Sequence, residues 1–253
     1  MADLWIVRAG LVPYADAFEA QRRIAAARAA EEVPDVLVLL EHPPVYTKGR
    51  RTTPAELPMG EDWYRMQGIE VCETDRGGRV TYHGPGQLVG YPIVSLKARA
   101  SRAAPGREAE EAARVDVVAY VRGLERVVID ALAEHGVSAQ AVEGLTGIWV
   151  GERKIGSIGV HVSRGVTTHG FAINVNNDLQ PFEWIVPCGI ESCRMTSLSR
   201  ELGAEQSMEA FATTVRHRFA DLYDRHPVDV SAAELAEVVP GIDALAGASP
   251  ALR

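Results

Sequence analysis

Two side chains in this sequence have the chemistry for group transfer: a cysteine on a turn and a lysine at a turn-to-strand junction. Cys188 lies between a proline and a glycine, where a turn can present its sulfur. A thiolate is a strong nucleophile, but an unperturbed cysteine is mostly protonated at neutral pH unless a cation lies nearby. With each residue taken singly, the sequence favours the alternatives that Cys188 is a small buried residue and that Lys154 is a solvated surface charge.

A glycine-rich stretch, residues 76–87, is the most unusual part of the chain. It holds four glycines and a proline, so its backbone N–H groups can approach a ligand closely. Arg76, Arg79 and His83 could add positive charge or hydrogen-bond donors there. The stretch matches neither glycine-rich phosphate fingerprint, and a tight hairpin remains the alternative interpretation. His169 could be a ligand, a base or a buried core residue, and the sequence favours the core residue.

The cysteines do not form a metal-binding pattern. Cys188 and Cys193 are five residues apart, and no second cysteine pair or close histidine pair supplies the four ligands of a structural zinc site. Cys72 is predicted to be an inert strand residue. The sequence therefore predicts neither a metal nor a cofactor.

The elements that must position these residues alternate between helices and short strands. A continuous apolar run at residues 36–40 predicts a buried strand, and apolar residues at helical spacing predict helices at about 14–30, 117–132 and 208–223. Shorter β-type runs occur at 69–74, 79–82, 88–96, 147–150, 154–162 and 170–175. This order predicts a single α+β (mixed α/β) domain over residues 1–226, followed by an Ala-rich tail, 227–253. The segment from Lys97 to Arg114 has almost no large apolar residues and is predicted to be a mobile insertion, a loop or a solvated helix.

Composition excludes several classes of protein. Of the 253 residues, 47% are hydrophobic and 24% are charged, which is typical of a globular chain. The net charge of −8 argues against a general nucleic-acid role, and the longest apolar runs are too short to cross a membrane. Three cysteines are too few and too scattered for a disulfide framework. The sequence thus predicts a soluble cytoplasmic protein.

Five motifs, taken together and in order from about residue 5 to residue 223, resemble the octanoyltransferase family. They are Glu41-His42-Pro43 with Val45-Tyr46-Thr47 and Gly49, the stretch 76–87, Arg153-Lys154-Ile155 with Ser157-Ile158-Gly159, Thr168 to Ala172 with Asn174-Val175-Asn176, and Ile185 to Ile190 with Thr196-Ser197-Leu198. Members of this family, lipoyl(octanoyl) transferases, move an octanoyl group from acyl carrier protein to a protein lysine.

The resemblance implies a fold like the catalytic domain of lipoate and biotin protein ligases, with mixed β-sheets flanked by helices. It implies Cys188 as the acyl-thioester nucleophile and Lys154 as the group that lowers its pKa. Substrate-binding positions would be Arg76, Gly77, Gly78, Arg79, Val80, Thr81, Tyr82, His83, Ser157, Ile158, Gly159, Gly170, Phe171 and Ala172. Backbone N–H groups near Gly77, Gly78 or Gly189 could stabilise the oxyanion. No ATP is needed, because a thioester is already activated.

The implied partners are octanoyl-acyl carrier protein as donor and lipoyl domains as acceptors. The acceptors would be the lipoyl domains of 2-oxoacid dehydrogenase E2 subunits and the glycine cleavage H protein, with no nucleic acid and no membrane involved. Nothing in the sequence demands more than a monomer. Acyl carrier proteins are acidic as a class, so we expect a local basic face to receive the carrier. The residues expected to form it are Lys48, Arg50, Arg51, Arg76 and Arg79.

Three other functions remain open at this point. An ATP-dependent lipoate or biotin ligase on the same fold would adenylate a free acid without a cysteine nucleophile. A non-catalytic acyl-carrier-binding protein would bind octanoyl without a covalent adduct, and a cysteine hydrolase would release free octanoate. Two departures from the family pattern are the length of the segment from Lys97 to Arg114, and Gly156, where family members often carry Ala.

Overall fold

The computed structural model describes residues 1–96, 117–186 and 193–247 of the 253. The first half forms β1 (Ala2–Leu11), α1 (Tyr14–Ala29), β2 (Asp35–Glu41), β3 (Val45–Lys48), α2 (Glu61–Met66), β4 (Glu70–Glu73), β5 (Thr81–His83) and β6 (Gln87–Ile93). The second half forms α3 (Val117–Glu134), β7 (Gln140–Val142), β8 (Leu145–Val150), β9 (Arg153–Ser163), β10 (Val166–Asn174), β11 (Arg194–Met195), α4 (Leu198–Leu202), α5 (Met208–Tyr223), β12 (Arg225–Asp229), α6 (Ala232–Val238) and α7 (Asp243–Ala246). Short 3-10 turns lie at Pro54–Glu56 and Gln180–Trp184.

Within the described residues, nine strands form one mixed sheet in the order β12-β1-β2-β6-β10-β9-β8-β7, with β11 paired to β9. The pairs of β1 with β12 and with β2 are parallel, and the ladder from β2 to β7 is antiparallel. Three strands form a smaller sheet in the order β4-β3-β5. None of the described helices is long and apolar enough to cross a membrane.

Helices cover both faces of the larger sheet. On one face, side chains of α3 and α5 pack with alternate residues of β1 and β2, including Leu4, Ile6 and Leu37. On the other face, α1 and the C-terminal helices pack on the remaining residues of the same strands, including Val36 and Val38. Strands buried on both faces are continuously apolar, which explains the run at 36–40. A third apolar cluster lies over the smaller sheet.

The prediction of an α+β (mixed α/β) fold with mixed sheets flanked by helices is confirmed. Sequence analysis did not predict the strands β1 and β3. It placed the end of the catalytic domain between residues 226 and 227, and this position lies within β12. The C-terminal segment is helical at 232–238 and 243–246, and both helices contribute buried residues to the cluster on α1. The segment from Lys97 to Arg114 lies outside the described residues.

Candidate active site

Two of the predicted substrate-binding segments are neighbours in the sheet. β9 and β10 pair so that Ser157 lies opposite Ala172, Ile158 opposite Phe171, and Gly159 opposite Gly170. β9 and β10 form a hairpin joined by Arg164 and Gly165, both with positive φ, and the register of this hairpin fixes which residues lie opposite one another. The pairing builds one wall of a cavity from these six residues.

The ring of Phe171 occupies space that a side chain on β6 would otherwise fill. Phe171 pairs with Gly90, and a Cβ built on Gly90 would lie 2.2 Å from the ring carbon Cζ of Phe171. A Cβ on Gly170 would lie 2.2 Å from the carbonyl oxygen of Gly90. Glycine at both positions therefore lets the two strands and the aromatic ring fit together beside the cavity.

The glycine loop, residues 76–79, is held by the guanidinium of Arg76. Nη1 of Arg76 donates to the carbonyl oxygen of Arg79 at 2.8 Å, and Nη2 donates to the carbonyl oxygen of Thr47 on β3 at 2.6 Å. The N–H of Gly77 donates to the carbonyl oxygen of Val160 at 3.0 Å, which ties the loop to β9. That N–H is thus committed within the protein, which argues against Gly77 as an oxyanion donor.

A chain of buried hydrogen bonds leads from Arg76 beneath the cavity. Nη2 of Arg76 donates to the hydroxyl of Thr47 at 2.7 Å, and that hydroxyl lies 3.3 Å from Nε2 of His83. Nδ1 of His83 lies 2.7 Å from Oε1 of Gln87, whose amide nitrogen donates to Oδ1 of Asn174 at 2.9 Å. Because the amide oxygen can only accept, Nδ1 of His83 carries the proton and Nε2 accepts from Thr47. Burial, reinforced by His42 and Arg76, holds the pKa of His83 well below its usual value.

His169 is 1% exposed and lines the cavity. Its Nε2 donates to Oδ1 of Asp75 at 2.6 Å, and its backbone N–H donates to Oε1 of Gln21 at 2.7 Å. Burial lowers the pKa of His169 from 6.5 to about 4, although Asp75 acts in the opposite direction. The prediction of a buried, hydrogen-bonded histidine is confirmed, and the residue faces the cavity as well. Its φ of +57° is in the left-handed region, which is unusual for a residue other than glycine.

Lys154 begins β9 and is only 2% exposed, so it is not the solvated surface lysine of the alternative interpretation. Its Nζ lies 5.7 Å from the centroid of the Trp149 ring, which is a cation–π contact. Trp149 is its cross-strand partner on β8, and Met195 is its partner on β11. Cys188 lies in residues 187–192, outside the described part of the chain.

These residues surround a cavity of about 250 Å3. This is close to the lower end of the range for small-molecule sites, roughly 300–1,000 Å3. Of the sequence-predicted site residues, the cavity is lined by Lys154, Arg76, Gly78, Arg79, Val80, Thr81, His83, Ser157, Ile158, Gly159, Gly170, Phe171 and Ala172. Gly77 and Tyr82 do not line it: Gly77 anchors the loop, and Tyr82 packs on Tyr46 and Phe182 in the third apolar cluster.

Sequence reasoning missed other residues of this wall. They are Tyr14, Arg51, Val89, Tyr91, Gly144, Leu145, Thr146 and Trp149, together with His169, which was recognised as a candidate but not assigned to the site. Tyr91 donates its hydroxyl proton to Nε2 of His42 at 2.7 Å, because Nδ1 of that ring donates to the carbonyl oxygen of Val12. Arg51 was predicted from the sequence only as part of the basic face. Aromatic residues within helix or strand patterns look like core residues in a sequence, so no local signal distinguishes Tyr14, Tyr91 and Trp149 from the core.

Comparison with known proteins relates the whole arrangement to one family. Residues 13–220 match the family described as the lipoyl protein ligase A/B catalytic domain. An octanoyltransferase of Rubrobacter xylanophilus is 50% identical over 198 residues, covering 78% of this chain and 82% of that protein. An octanoyltransferase of Solibacter usitatus is 44% identical over 224 residues, covering 88% and 94%. The solved structure of a putative lipoate protein ligase from T. acidophilum superposes with a TM-score of 0.68, covering 98% of this chain and 100% of that chain. It is 15% identical and shows a shared fold.

Proposed function

This chain belongs to the lipoyl protein ligase A/B catalytic domain family, and we propose that it transfers octanoyl groups in two steps through an acyl-enzyme on Cys188. The chain is an acyltransferase that acts in protein lipoylation, as its similarity to curated octanoyltransferases shows. The proposal concerns the donor, the nucleophile and the role of Lys154. The burial of Lys154 in the wall of the cavity is the observation that carries it.

In the first step, the thiolate of Cys188 attacks the carbonyl carbon of octanoyl-acyl carrier protein. The new C–S bond forms as the bond to the phosphopantetheine sulfur breaks, and the leaving thiolate takes a proton from the Lys154 ammonium. A cation held beside the cysteine favours the thiolate form, so Lys154 also raises the fraction of reactive nucleophile.

In the second step, the neutral amine of a lipoyl-domain lysine attacks the acyl carbon. Lys154, now neutral, takes the amine proton, an amide bond forms, and Cys188 leaves as a thiolate. Each step moves one proton, and the resting ion pair is restored at the end. One buried lysine therefore serves both half-reactions, with no metal or nucleotide taking part.

The cavity wall supports an acyl substrate. Val80, Val89, Ile158, Phe171 and Ala172 present apolar surface, which matches an alkyl chain. The polar groups of the lining include Lys154, which is the group expected at the thioester end. Among the described residues, the lining includes no Asp or Glu.

The first experiment is intact mass spectrometry after mixing the protein with octanoyl-acyl carrier protein. We expect a single octanoyl adduct on the wild type, no adduct on Cys188→Ser, and slow adduct formation on Lys154→Met, which keeps most of the buried stem. Cys72→Ser and Cys193→Ser are matched controls, since both cysteines are half-buried and neither lines the cavity. They should load like the wild type.

Three results would contradict the proposal. Loading that persists in Cys188→Ser would place the acyl group on another residue, and loading that requires octanoate with ATP would indicate an acid-activating ligase. Release of free octanoate without an acceptor would instead point to a hydrolase. Addition of a lipoyl domain should empty the acyl-enzyme and increase the acceptor mass by one octanoyl group.

For the acceptors, we propose the lipoyl domains of 2-oxoacid dehydrogenase E2 subunits and the glycine cleavage H protein, with the enzyme acting as a monomer. The sparse cysteines of the chain are consistent with a reducing compartment, and we place the reaction in the cytoplasm. Octanoyl transfer measured against each acceptor in turn tests the proposed acceptors. The mass of the protein in solution tests whether it is a monomer.

A further inference from the structure

The charge of the cavity lining differs in sign from that of the whole protein. The chain has a net charge of −8. The lining of the cavity has four cationic side chains, Arg51, Arg76, Arg79 and Lys154, and the described lining residues include no Asp or Glu. A cleft with one sign of charge attracts ligands of the opposite sign. Which of these cations can attract an anionic partner depends on whether the side chain is exposed and free of internal partners, since the molecule as a whole would repel such a partner.

Most cations of the predicted basic face are committed to internal contacts. Nζ of Lys48 lies 2.8 Å from a carboxylate oxygen of Glu61 and 3.1 Å from one of Glu73. The guanidinium of Arg76 is buried on backbone oxygens, and Arg79 pairs with Glu56 at 2.6 Å. These three side chains contribute little free positive charge to a docking surface.

Arg50 and Arg51 differ from them. Both side chains are exposed, and no hydrogen bond or ion pair joins either guanidinium to another residue in the described part of the chain. Their backbone is fixed on the glycine loop: the N–H of Arg50 donates to the carbonyl oxygen of Arg76, and that of Arg51 to the carbonyl oxygen of Gly78, each at 3.0 Å. Close packing holds the turn, because a Cβ on Gly49 would lie 2.6 Å from the carbonyl oxygen of Gly78.

We propose that Arg50 and Arg51 are the docking contact for an acidic protein surface, that of the carrier which delivers the acyl thioester. The inference rests on the proposed function and names where its donor binds. Two neighbouring exposed cations on a fixed backbone, of which Arg51 lines the cavity, can orient an acidic partner over the site, while the negative charge elsewhere on the enzyme disfavours other orientations. Charges at an exposed rim act mainly on the association rate and its salt dependence.

The test compares three octanoyl donors in the loading reaction followed by intact mass. Octanoyl-acyl carrier protein has both an acidic protein and a phosphodiester, octanoyl-coenzyme A has phosphates without the protein, and octanoyl-pantetheine has neither. The variant is Arg50→Glu with Arg51→Glu. The matched control is Arg22→Glu with Arg126→Glu, the same charge change on α1 and α3, where the two side chains are 66% and 68% exposed and do not line the cavity.

We expect the kcat/KM ratio of the carrier donor to octanoyl-pantetheine to fall about tenfold in the Arg50/Arg51 variant at low salt. High salt should reduce the wild-type ratio towards the value of the variant, and the Arg22/Arg126 control should keep the wild-type ratio. An unchanged ratio in the Arg50/Arg51 variant would refute the docking contact and leave the acyl-enzyme intact.

Two other outcomes would also overturn the inference. An equal fall for octanoyl-coenzyme A would show that the arginines bind the phosphate of the prosthetic arm rather than a protein surface. Slower transfer from the loaded enzyme to a lipoyl domain, with normal loading, would place the acceptor there. If the wild type forms no adduct with any donor, the acyl-enzyme proposal fails, and carrier affinity measured by fluorescence anisotropy for wild type and variant still decides the docking contact.

Discussion

Contacts with the neighbouring backbone and with an aromatic ring hold Lys154 in place. Its Nζ lies over the Trp149 ring, and the N–H of Thr196 donates to its carbonyl oxygen at 3.0 Å. Gly147 packs against its Cε, and the N–H of Gly147 donates to Oε1 of the buried Glu125 at 3.1 Å. A catalytic amine must be held within a fraction of an ångström of its reacting partner, and these contacts provide such a frame.

The first prediction follows from the space at Gly147. A Cβ there would lie 2.5 Å from Cε of Lys154, 3.1 Å from its Nζ and 2.7 Å from the carbonyl oxygen of Gly156, so in Gly147→Ala the lysine side chain or the adjacent backbone of β9 must shift. We expect the loading rate measured by intact mass to fall at least tenfold, since small misplacements at a reacting centre have effects of that order.

The matched control is Gly151→Ala. Gly151 also has a positive φ, +57°, but a Cβ built on it has nothing within 4 Å. This variant should lose about 1–2 kcal/mol of stability from backbone strain and keep its loading rate. Equal loading rates in the two variants would show that the contact with Gly147 does not position Lys154.

Residue type and spacing predicted most of the residues that line one cavity, but not the contacts that hold them in place. The sequence identified Lys154 as a candidate, although an isolated lysine is usually exposed; its burial results from Trp149 on the neighbouring strand and Thr196 more than forty residues later. Tyr14 and Tyr91 reach the cavity from a helix and from another strand. Contacts of this kind join residues that are far apart in the sequence, so no local sequence pattern predicts them.

At the scale of elements, Gly90 of β6 and Phe171 of β10 shape the part of the cavity wall that we propose binds the acyl chain. Gly90→Ala would place a methyl group within 2.2 Å of the Phe171 ring and push the ring towards the cavity. We expect the variant to prefer shorter chains, so the ratio of octanoyl to butyryl loading should fall. Competition between the two carrier thioesters, read by intact mass, measures that ratio directly.

Gly156→Ala is the control for this substitution. It also adds a methyl group to a central strand, but its neighbours are the flexible ends of Ile148 and Ile173, and Gly156 does not line the cavity. A small loss of stability with an unchanged chain-length ratio is expected. A parallel fall in both variants would mean that strand packing in general, and not the Phe171 ring, sets the preference.

Elements with strong local patterns were predictable, and elements that depend on partners were not. The helix predicted at 208–223 coincides with α5, because its apolar residues recur at helical spacing and Ser207 caps its start. β12, with the sequence Arg-His-Pro-Val-Asp, has no such pattern. It is an edge strand, where a proline is tolerated, and it forms through parallel pairing with β1.

At the scale of the whole molecule, the packing of the C-terminal helices determines how far along the chain the folding unit extends. Leu235, Val239, Ile242 and Leu245 are buried in the same apolar cluster as α1. Burial of one aliphatic side chain contributes about 1.5–3 kcal/mol, and a domain has about 5–15 kcal/mol of net stability. We therefore expect deletion of residues 227–253 to lower the urea midpoint sharply or prevent folding. A stable, two-state fragment 1–226 would instead support the boundary predicted from the sequence.

We expect the stability of the whole fold to be sensitive to acid, because three buried histidines beneath and beside the cavity are neutral in the folded state. Burial lowers the pKa of His42 and of His169 from 6.5 to about 4, and it holds that of His83 well below its usual value. Below pH 6.5 the unfolded chain therefore takes up protons that the folded chain does not. Stability is fully present above pH 6.5 and falls as the pH drops towards 4.

Each such proton changes the free energy of unfolding by up to about 1.4 kcal/mol per pH unit, so three together approach about 4 kcal/mol per unit. His169→Asn removes one of them, and asparagine tolerates the positive φ of that position. Urea unfolding between pH 7.5 and 5 should give a slope about one third smaller in this variant than in the wild type. His217→Asn, on an exposed position of α5, should keep the wild-type slope. An unaltered slope in His169→Asn would mean that His169 is protonated equally in both states and that the Asp75 carboxylate, not burial, governs its charge.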